Sequence, residues 1–443
     1  MRKLAIDRGE LIAVLMAVVV AGLWMHPYRA QQASRYALTA AIAERGTVVL
    51  DEYEDVVGID RAVRDGRIYS DKAPAQPFLA VPFYLAYRSV GGEPGDVLQI
   101  ERHVGLWWLT VWFASVPLGM LTVAMQRHLR ARGLGDVAWP VALALTYGTL
   151  LLPFGGLLFG HVLAGLFLAT TFLLVDRPDA SRWRLVAAGT AAGLAVATEY
   201  PAILGVVPLL VYAWWKHRER VGLVIAGGAP VALLLGTYNM VAFGGPLNLS
   251  YRFSAFSEVA ETARPIFDMF GSLSLANLAA QFTHPRGLFV ATPIVLLALF
   301  GLWATWKRLR PLALLCAAVV AGHLGIVAFW GNPWGGDSPG ARYFVPAIPF
   351  LALPLAFVWR RIPRVGFLLA GVGAIVMFAS IATDPLLARD TNDGAHTWLT
   401  WLANGSTAPT IAGSSAVIPW ILLGLGVVLV GGVVRGSTGS ESH

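Results

Sequence analysis

The sequence predicts an all-α polytopic membrane protein with about 12 transmembrane helices and with interfacial helices in its first external loop. Apolar residues make up 56% of the 443 residues and charged residues only 13%, about half the charged share of a soluble globular domain. Apolar segments near the roughly 20 residues that a helix needs to cross a bilayer recur along the chain. Basic clusters occupy every second loop between these segments, which is typical of polytopic membrane proteins.

The first predicted span is residues 10–26. A short basic start followed by the apolar run Leu11–Trp24 has the look of a secretory signal. The run ends in Trp24-Met25-His26-Pro27-Tyr28 rather than in a small-residue cleavage site, so we interpret it as a retained span with an interfacial aromatic belt. The remaining predicted spans are 103–126, 137–152, 157–175, 184–199, 201–216, 221–243, 287–306, 311–330, 342–359, 364–382 and 415–434.

The basic clusters predict the orientation, because Lys and Arg are retained in short cytoplasmic loops. We expect both termini in the cytoplasm and a multi-pass position in the cell inner or plasma membrane. Residues 1–435 then form a single transmembrane domain, followed by the polar tail 436–443. These clusters also account for the net charge of +7, so no nucleic-acid partner is expected. They are Arg2/Lys3/Arg8, Arg127/Arg130/Arg132, Arg177/Arg182/Arg184, Lys216/Arg218/Arg220, Lys307/Arg308/Arg310 and Arg360/Arg361/Arg364.

The first external loop, residues 27–102, is the longest polar excursion from the membrane. Ser34–Arg45 begins with a good helix cap and has an apolar face. Gln76–Arg88 is apolar and aromatic, which predicts a helix lying in the interface. The acidic, glycine-punctuated stretch Asp51–Lys72 lies between them. A loop held to the membrane at both ends could cover a cavity.

Candidate catalytic carboxylates lie in this loop. Asp71 and Lys72 are adjacent, and an aspartate beside a lysine can combine a base with a phosphate-binding cation. The alternative is a solvated charge pair. Asp51 and Asp60 offer further carboxylates, of which at most one or two can be catalytic.

Two other groups are expected near the same side of the membrane. His161 starts a predicted span, and Glu199 with Tyr200 occupies a tight outer turn. Ionisable groups at membrane depth are candidates for substrate binding because their burial is costly. A packed histidine and a simple interfacial glutamate are the alternatives.

Two later segments add arginines and tryptophans. Arg286 opens a span from the outside, and the segment 330–343 contains Trp334, Asp337 and Arg342 among several glycines. Tryptophan can stack on sugar rings, and the planar guanidinium suits phosphate, so we predict Arg286 and Arg342 as donor-phosphate ligands and Trp334 and Asp337 as substrate contacts. A tight turn with an aromatic belt is the alternative.

Together these residues suit transfer from a phosphate-linked donor. A carboxylate would deprotonate an acceptor hydroxyl, and Arg and Lys would neutralise the leaving phosphate. Nucleotide sugars are cytoplasmic, so a donor used outside would be lipid-linked. The alternatives are a secondary transporter or flippase for a glycolipid or small solute, and a non-catalytic scaffold or polymer-export subunit. Transporters commonly show repeated halves, and no repeat is evident here. The single cysteine, Cys316, lies in an apolar run and offers neither a disulfide nor a thiolate cluster.

At these residues the chain resembles the GT-C glycosyltransferases, which include protein O-mannosyltransferases and lipid A aminoarabinose transferases. The resemblance covers roughly residues 10–380. The motifs that carry it are Ser34-Arg35-Tyr36-Ala37, Glu44-Arg45-Gly46-Thr47, Tyr69-Ser70-Asp71-Lys72-Ala73-Pro74, Arg286-Gly287-Leu288-Phe289 and Gly335-Gly336-Asp337-Ser338-Pro339-Gly340-Ala341-Arg342-Tyr343.

The resemblance implies a helical bundle and inverting sugar transfer from a polyprenyl-phosphate donor to a cell-envelope glycan, lipid or protein acceptor. It also implies that Lys72 contacts the donor phosphate. Aminoarabinose transferases have a catalytic acid three positions before the Arg-Tyr pair, where this chain has Gln32. Another acid of the loop is therefore expected to be the base. Asp60 and Asp71 are the favoured candidates, and Asp51 is the next. Some members use a divalent cation, and no metal-ligand spacing here identifies one.

Overall fold

The computed structural model describes residues 7–29, 31–95, 103–177, 179–255, 273–330, 333–388, 391, 393–413, 417, 421, 424 and 428. Most of the predicted span 415–434 and all of the tail 436–443 lie outside the described residues. In chain order the helices are α1 (Arg8–Gly22), α2 (Gln31–Arg45), α3 (Glu54–Val57), α4 (Ala75–Ser89), α5 (Val104–Thr110), α6 (Val116–Ala131), α7 (Gly135–Tyr147), α8 (Leu151–Gly155), α9 (His161–Val175), α10 (Arg182–Thr198), α11 (Ile203–His217), α12 (Val221–Phe243), α13 (Leu275–Thr283), α14 (Leu288–Ala291), α15 (Ile294–Arg308), α16 (Arg310–Phe329), α17 (Ala352–Trp359), α18 (Pro363–Ala382) and α19 (Gly394–Ala403).

Five helical stretches among the described residues are long and apolar enough to cross a membrane, and a pair bent by 90° would make a sixth. The predicted number of about 12 therefore stays a prediction. The five are Val104–Ala131, Tyr200–Phe243, Arg310–Phe329, Arg342–Trp359 and Pro363–Ala382, and the bent pair is Leu275–Ala291 with Ile294–Arg308.

The 44-residue stretch Tyr200–Phe243 contains two helices that run in opposite directions. Thr190 Oγ1 of α10 donates to the carbonyl of Gly227 of α12 at 2.9 Å. One turn further along both helices, a Cβ on Gly193 would lie 2.9 Å from Cβ of Val231. Residue numbers increase together, so α10 and α12 are parallel. Helix α11 connects them and must run back between their ends.

Ion pairs gather the basic loops at one end of the bundle, called here the basic end. Arg127 of α6 binds Glu10 of α1 with Nε–Oε1 and Nη2–Oε2 distances of 2.6 and 2.5 Å. Lys216 in the last turn of α11 lies 2.9 Å from Oδ1 of Asp176, which follows α9. Further pairs at this end are Arg132–Asp176 and Arg360–Asp136. The charge alternation thus corresponds to a real spatial segregation, and which side of the membrane this end faces stays a prediction.

The first external loop also contains a short hairpin that was not predicted from the sequence, while the described residues are otherwise mostly helical. Strands β1 (Arg61–Arg64) and β2 (Arg67–Ser70) form an antiparallel hairpin. Its turn residues Asp65 and Gly66 have φ of 52° and 73°, as a type I′ turn requires, and Asp-Gly is a favoured pair for that turn. The two predicted helices are present as α2 and α4, although α2 already begins at Gln31, so the predicted cap Ser34 lies inside it. Their position in the membrane interface stays a prediction.

The loop packs on the bundle through its own apolar cluster. Three tyrosines of the loop are buried there: Tyr36 in α2, Tyr53 just before α3, and Tyr84 in α4. The same cluster includes Phe113 and Phe243 from the bundle. The loop therefore lies as a packed cover over the end of the bundle opposite the basic end.

Candidate active site

The hairpin brings together two aspartates that are 11 positions apart. Its register pairs Arg61 with Ser70. Asp60 immediately precedes the first of these residues and Asp71 immediately follows the second, so the two carboxylates leave the open end of the hairpin side by side. The strands thus explain a proximity that sequence separation alone does not predict.

Lys72 lies between the two aspartates. Its Nζ donates to Asp60 Oδ1 at 2.6 Å and to Asp71 Oδ2 at 2.7 Å. All three side chains are buried. The Asp71–Lys72 pair is therefore not a solvated charge pair, because burial of this arrangement is tolerated only when opposite charges are paired.

Asp71 pairs with Lys72 through only one of its two carboxylate oxygens, Oδ2. Its Oδ1 is buried and has no hydrogen-bond partner among the described residues. Burial raises the pKa of Asp71, and the neighbouring Asp60 adds to this rise, while Lys72 and Arg342 lower it. Burial alone would lower the pKa of Lys72, but the two carboxylates more than offset it, so that pKa is raised. Lys72 therefore stays charged, and Asp71 is the more basic kind of carboxylate that proton abstraction needs.

Arg342 supplies a second cation. Its Nη2 donates to Tyr343 Oη at 3.1 Å. With the Gln31 amide turned to satisfy its hydrogen bonds, its oxygen accepts from Arg342 Nη1 at 2.8 Å. Nε has no partner within the part of the chain that the structure describes. A Cβ on Gly335, whose φ is +82°, would lie 2.7 Å from that Nε, so the glycine admits the guanidinium.

A buried ion pair connects the loop to the bundle beside this cluster. Arg35 Nη2 of α2 donates to Glu199 Oε1 at 2.5 Å. His161 Nδ1 lies 3.5 Å from the same oxygen. A Cβ on Gly160 would lie 2.7 Å from it, so this glycine leaves room for the carboxylate. Glu199 is thus held by a buried arginine rather than lying in the interface, and His161 belongs to the same polar group.

Aromatic rings line the neighbouring surface. The ring centroids of Tyr200 and Tyr251 are 5.2 Å apart, and those of Tyr251 and Trp330 are 6.4 Å apart. Trp330 lies 4.8 Å from Tyr343, and Tyr343 lies 6.1 Å from His161. These contacts form a continuous aromatic wall from Tyr200 to the cations.

Arg286 and Trp334 have contacts of another kind. Arg286 is fully buried, and its guanidinium donates to the carbonyl of Ala388 at 2.7 Å and of Leu387 at 2.9 Å, and also to that of Ser338. It also lies 5.6 Å from the centre of the Trp334 ring. These contacts hold two loops together, and the predicted roles of Arg286 in binding phosphate and of Trp334 in binding substrate stay predictions.

Two other predicted residues lie apart from the buried cluster. Asp51 is 42% exposed and accepts from the backbone of Ile68 at 2.8 Å, so it fixes the start of β2. Asp337 is partly buried in the turn that Arg286 holds. Neither has a recorded contact with Lys72 or Arg342 among the described residues.

Gln32 occupies the position where the resemblance implies an acid. Its Oε1 accepts from the backbone of Leu158 at 2.9 Å, and its Nε2 donates to the carbonyl of Pro27 at 3.2 Å. Both ends of the amide are satisfied by the main chain, so Gln32 holds the loop to the bundle.

Several residues of the site were not predicted from the sequence as functional. Ser34 Oγ and Ser70 Oγ are 2.8 Å apart, and Ser250 donates to the carbonyl of Asp71 at 2.8 Å. Tyr251 and Tyr343 contribute rings to the wall. Arg35 and Tyr343 were visible as parts of quoted motifs, whereas no local signal identified Ser250 or Tyr251.

Side chains that hold a divalent cation in proteins are chiefly carboxylates and imidazoles. No group of three His, Cys, Asp or Glu among the described residues could hold one. Asp60 and Asp71 are bridged by Lys72 instead.

No known protein-family model and no curated protein match the sequence. Among solved structures, the chain is similar over 97% of its length to the lipid A aminoarabinose transferase ArnT from Cupriavidus metallidurans, bound to undecaprenyl phosphate and in the apo state. The TM-score is 0.57 for both, identities are 15% and 16%, and 73% and 72% of ArnT are covered. The chain therefore has the GT-C fold.

A second similarity is to the archaeal oligosaccharyltransferase AglB from Archaeoglobus fulgidus, in complex with an inhibitory peptide and a dolichol-phosphate. It covers 90% of this chain and 58% of AglB at 10% identity and a TM-score of 0.48.

Proposed function

We propose that the protein is a membrane glycosyltransferase that moves a sugar from a polyprenyl-phosphate donor to an acceptor hydroxyl on the extracytoplasmic side. The observation that carries this proposal is the buried Asp60–Lys72–Asp71 cluster beside Arg342. It combines a basic carboxylate with two cations at the covered end of a GT-C bundle. A structure with the same fold, ArnT, binds undecaprenyl phosphate.

Asp71 is the proposed base. Its Oδ1 takes the proton of the acceptor hydroxyl as that oxygen attacks the anomeric carbon of the sugar. The bond between this carbon and the phosphate oxygen breaks, and its electron pair leaves with the polyprenyl phosphate. A single displacement of this kind inverts the configuration. Asp60 acts through Lys72, whose orientation and charge it stabilises.

Lys72 and Arg342 are the proposed phosphate ligands. The ammonium group of Lys72 has three hydrogens, and Asp60 and Asp71 accept two of them. Arg342 has an Nε–H without a partner among the described residues. Both donors can neutralise charge that develops on the leaving phosphate, which is where preorganised cations contribute most to rate.

The aromatic wall and the Glu199 group are proposed to bind the sugar and the acceptor. Tyr200, Tyr251 and Trp330 can pack on a sugar face, and His161 with Glu199 offers polar contacts at its edge. The polyprenyl tail would lie against the membrane-facing bundle. The acceptor would be a cell-envelope glycan, lipid or protein.

The test is sugar transfer by the purified full chain in liposomes, supplied with radiolabelled undecaprenyl-phosphate pentoses and hexoses. Asp71→Asn is expected to reduce transfer by about 10²–10⁴-fold, the usual contribution of a general base. It should still bind undecaprenyl phosphate. Lys72→Gln should weaken that binding as well as transfer.

Asp55→Asn is the matched control, because Asp55 is an exposed acid of the same loop and should transfer as wild type. Full activity of Asp71→Asn would assign the base elsewhere. If wild type transfers none of the sugars but moves a lipid-linked sugar across the bilayer, the transporter or flippase alternative is correct.

A further inference from the structure

A groove lies at the basic end of the bundle, away from the candidate active site. Its volume is about 680 Å³, within the range of about 300–1,000 Å³ that small-molecule sites occupy. Met120, Val123 and Leu166 form part of its apolar wall, and Met120 is 51% exposed between the helices. The groove therefore opens on the lipid-facing side of α6 and α9.

The other limb of the groove is cationic. Arg127, Arg132, Arg177 and Lys216 line it, and Asp176 is the one acid among the lining residues. The composition changes along the helices from apolar residues to cations at the helix ends. An amphipathic anion with an apolar chain matches this gradient.

Asp176 fixes two of these cations. It binds Arg132, accepts from Tyr212 Oη at 2.7 Å and lies 2.9 Å from Lys216 Nζ. Burial alone would raise the pKa of Asp176, but these donors more than offset it, so its pKa is lowered. The carboxylate therefore stays charged and holds Arg132 and Lys216 at the groove.

Two cations remain directed to solvent or lipid headgroups. Arg177 is exposed, and no ion-pair partner for it occurs among the described residues. Arg127 is paired with Glu10 but keeps 38% of its side chain exposed. The four basic side chains outnumber the two carboxylates that pair with them, Asp176 and Glu10, so this limb carries a net positive charge.

Exposed tryptophans place the cationic limb at headgroup level. Trp214 and Trp215, immediately before Lys216, are 58% and 52% exposed, and Trp183 is 81% exposed. Tryptophan concentrates at the boundary between hydrocarbon and headgroups. The apolar limb then lies at acyl-chain depth.

We propose that this groove binds one anionic glycerophospholipid of the adjacent leaflet, with its phosphate among Arg127, Arg132, Arg177 and Lys216 and one acyl chain between α6 and α9. Basic pockets between transmembrane helices commonly bind anionic headgroups in this way. The site is separate from the proposed transfer chemistry and does not depend on it.

The test is native mass spectrometry of the delipidated full chain, titrated with phosphatidylglycerol and with phosphatidylcholine of the same acyl chains. Phosphatidylglycerol is expected to bind as one tight equivalent and phosphatidylcholine to bind weakly. Arg177→Gln and Lys216→Gln should each weaken phosphatidylglycerol binding about fivefold, since each basic side chain near anionic lipid contributes about that factor. Ala124→Trp, which fills the apolar limb, should abolish the tight equivalent.

Two control variants outside the groove test whether these effects are specific to it. Arg182→Gln removes an exposed arginine outside the groove, and Ala229→Trp adds a ring on an exposed face of α12; both should bind as wild type. Equal binding of the two lipids, or unchanged binding by Arg177→Gln and Ala124→Trp, would overturn the proposal. Displacement of phosphatidylglycerol by an equal concentration of undecaprenyl phosphate would overturn its assignment to a glycerophospholipid.

Discussion

Asp71 shares one buried ammonium group, that of Lys72, with a second carboxylate. Asp60 raises the pKa of Asp71, in addition to the larger effect of burial. A base acts only when deprotonated, so transfer should be lost as the pH falls through this raised pKa. Asp60→Asn removes the like charge and should shift the acidic limb of the pH profile of kcat/KM to lower pH.

The shift distinguishes a positioning role for Asp60 from a catalytic one. Asp60→Asn is expected to keep a measurable rate and to move the acidic limb, whereas Asp55→Asn should leave the profile unchanged. Loss of all transfer by Asp60→Asn, with full transfer by Asp71→Asn, would show that Asp60 is the base and that Asp71 is not.

Arg35 and Glu199 form a buried pair whose members depend on each other for stability. Arg35→Met leaves Glu199 buried without its main partner and should cost about 3–5 kcal/mol of unfolding free energy. Arg35→Met combined with Glu199→Gln should recover most of this loss. The control is the exposed Arg45 at the end of the same helix, which pairs with Glu52 of the following turn, because Arg45→Met should cost less than about 1 kcal/mol. Denaturant unfolding in detergent measures all of these; equal losses for Arg35→Met and Arg45→Met would contradict the prediction.

At the residue scale, the sequence identified types of side chain better than their partners. Asp60, Asp71, Lys72 and Arg342 were chosen for charge and expected location, and they come together. Arg286 was chosen by the same criteria, but its guanidinium is taken up by main-chain carbonyls. Whether an arginine meets a ligand or a loop depends on tertiary contacts that local sequence does not contain.

Among the elements, the hairpin is the one on which the site depends most. Gly66 has φ of +73°, a conformation that costs about 1–2 kcal/mol for most L-residues and less for asparagine. Gly66→Val should therefore misalign Asp60 and Asp71 and reduce transfer about tenfold or more, while Gly66→Asn should retain most of it. Circular dichroism and thermal unfolding would check that the bundle persists in both. Equal activity of the two variants would show that the turn does not position the site.

The hairpin also shows what element-level prediction missed. Apolar periodicity correctly predicted helices α2 and α4 on either side of it. The sequence between them is acidic and shows no clear periodicity. Asp65-Gly66 between the two short segments Arg61–Arg64 and Arg67–Ser70 is nevertheless a recognised hairpin signal. The strands are four residues each, too short for alternation to be evident, and only their pairing with each other makes them regular.

For the whole molecule, the charge pattern predicted a polarity that the coordinates reproduce. The basic clusters meet acids at one end, as in Arg127–Glu10 and Lys216–Asp176. The candidate site lies at the other end, because His161 begins the helix whose far end is capped by Asp176. The predicted number of about 12 spans stays a prediction, because helix length and apolarity identify five or six among the described residues. Tight helix–helix contacts such as Gly193–Val231 establish directions that composition cannot.

The side of the membrane that each end faces follows from the positive-inside rule and can be measured directly. In a Cys316→Ala background, Asp55→Cys places a thiol on the exposed first loop, and Ser181→Cys places one at the basic end; both positions are exposed, and the native cysteine is buried. A membrane-impermeant maleimide added to intact spheroplasts should label Asp55→Cys at once and Ser181→Cys only after permeabilisation. The reverse pattern would put the candidate site in the cytoplasm, where nucleotide sugars are available. The physical reason for expecting a lipid-linked donor would then be lost.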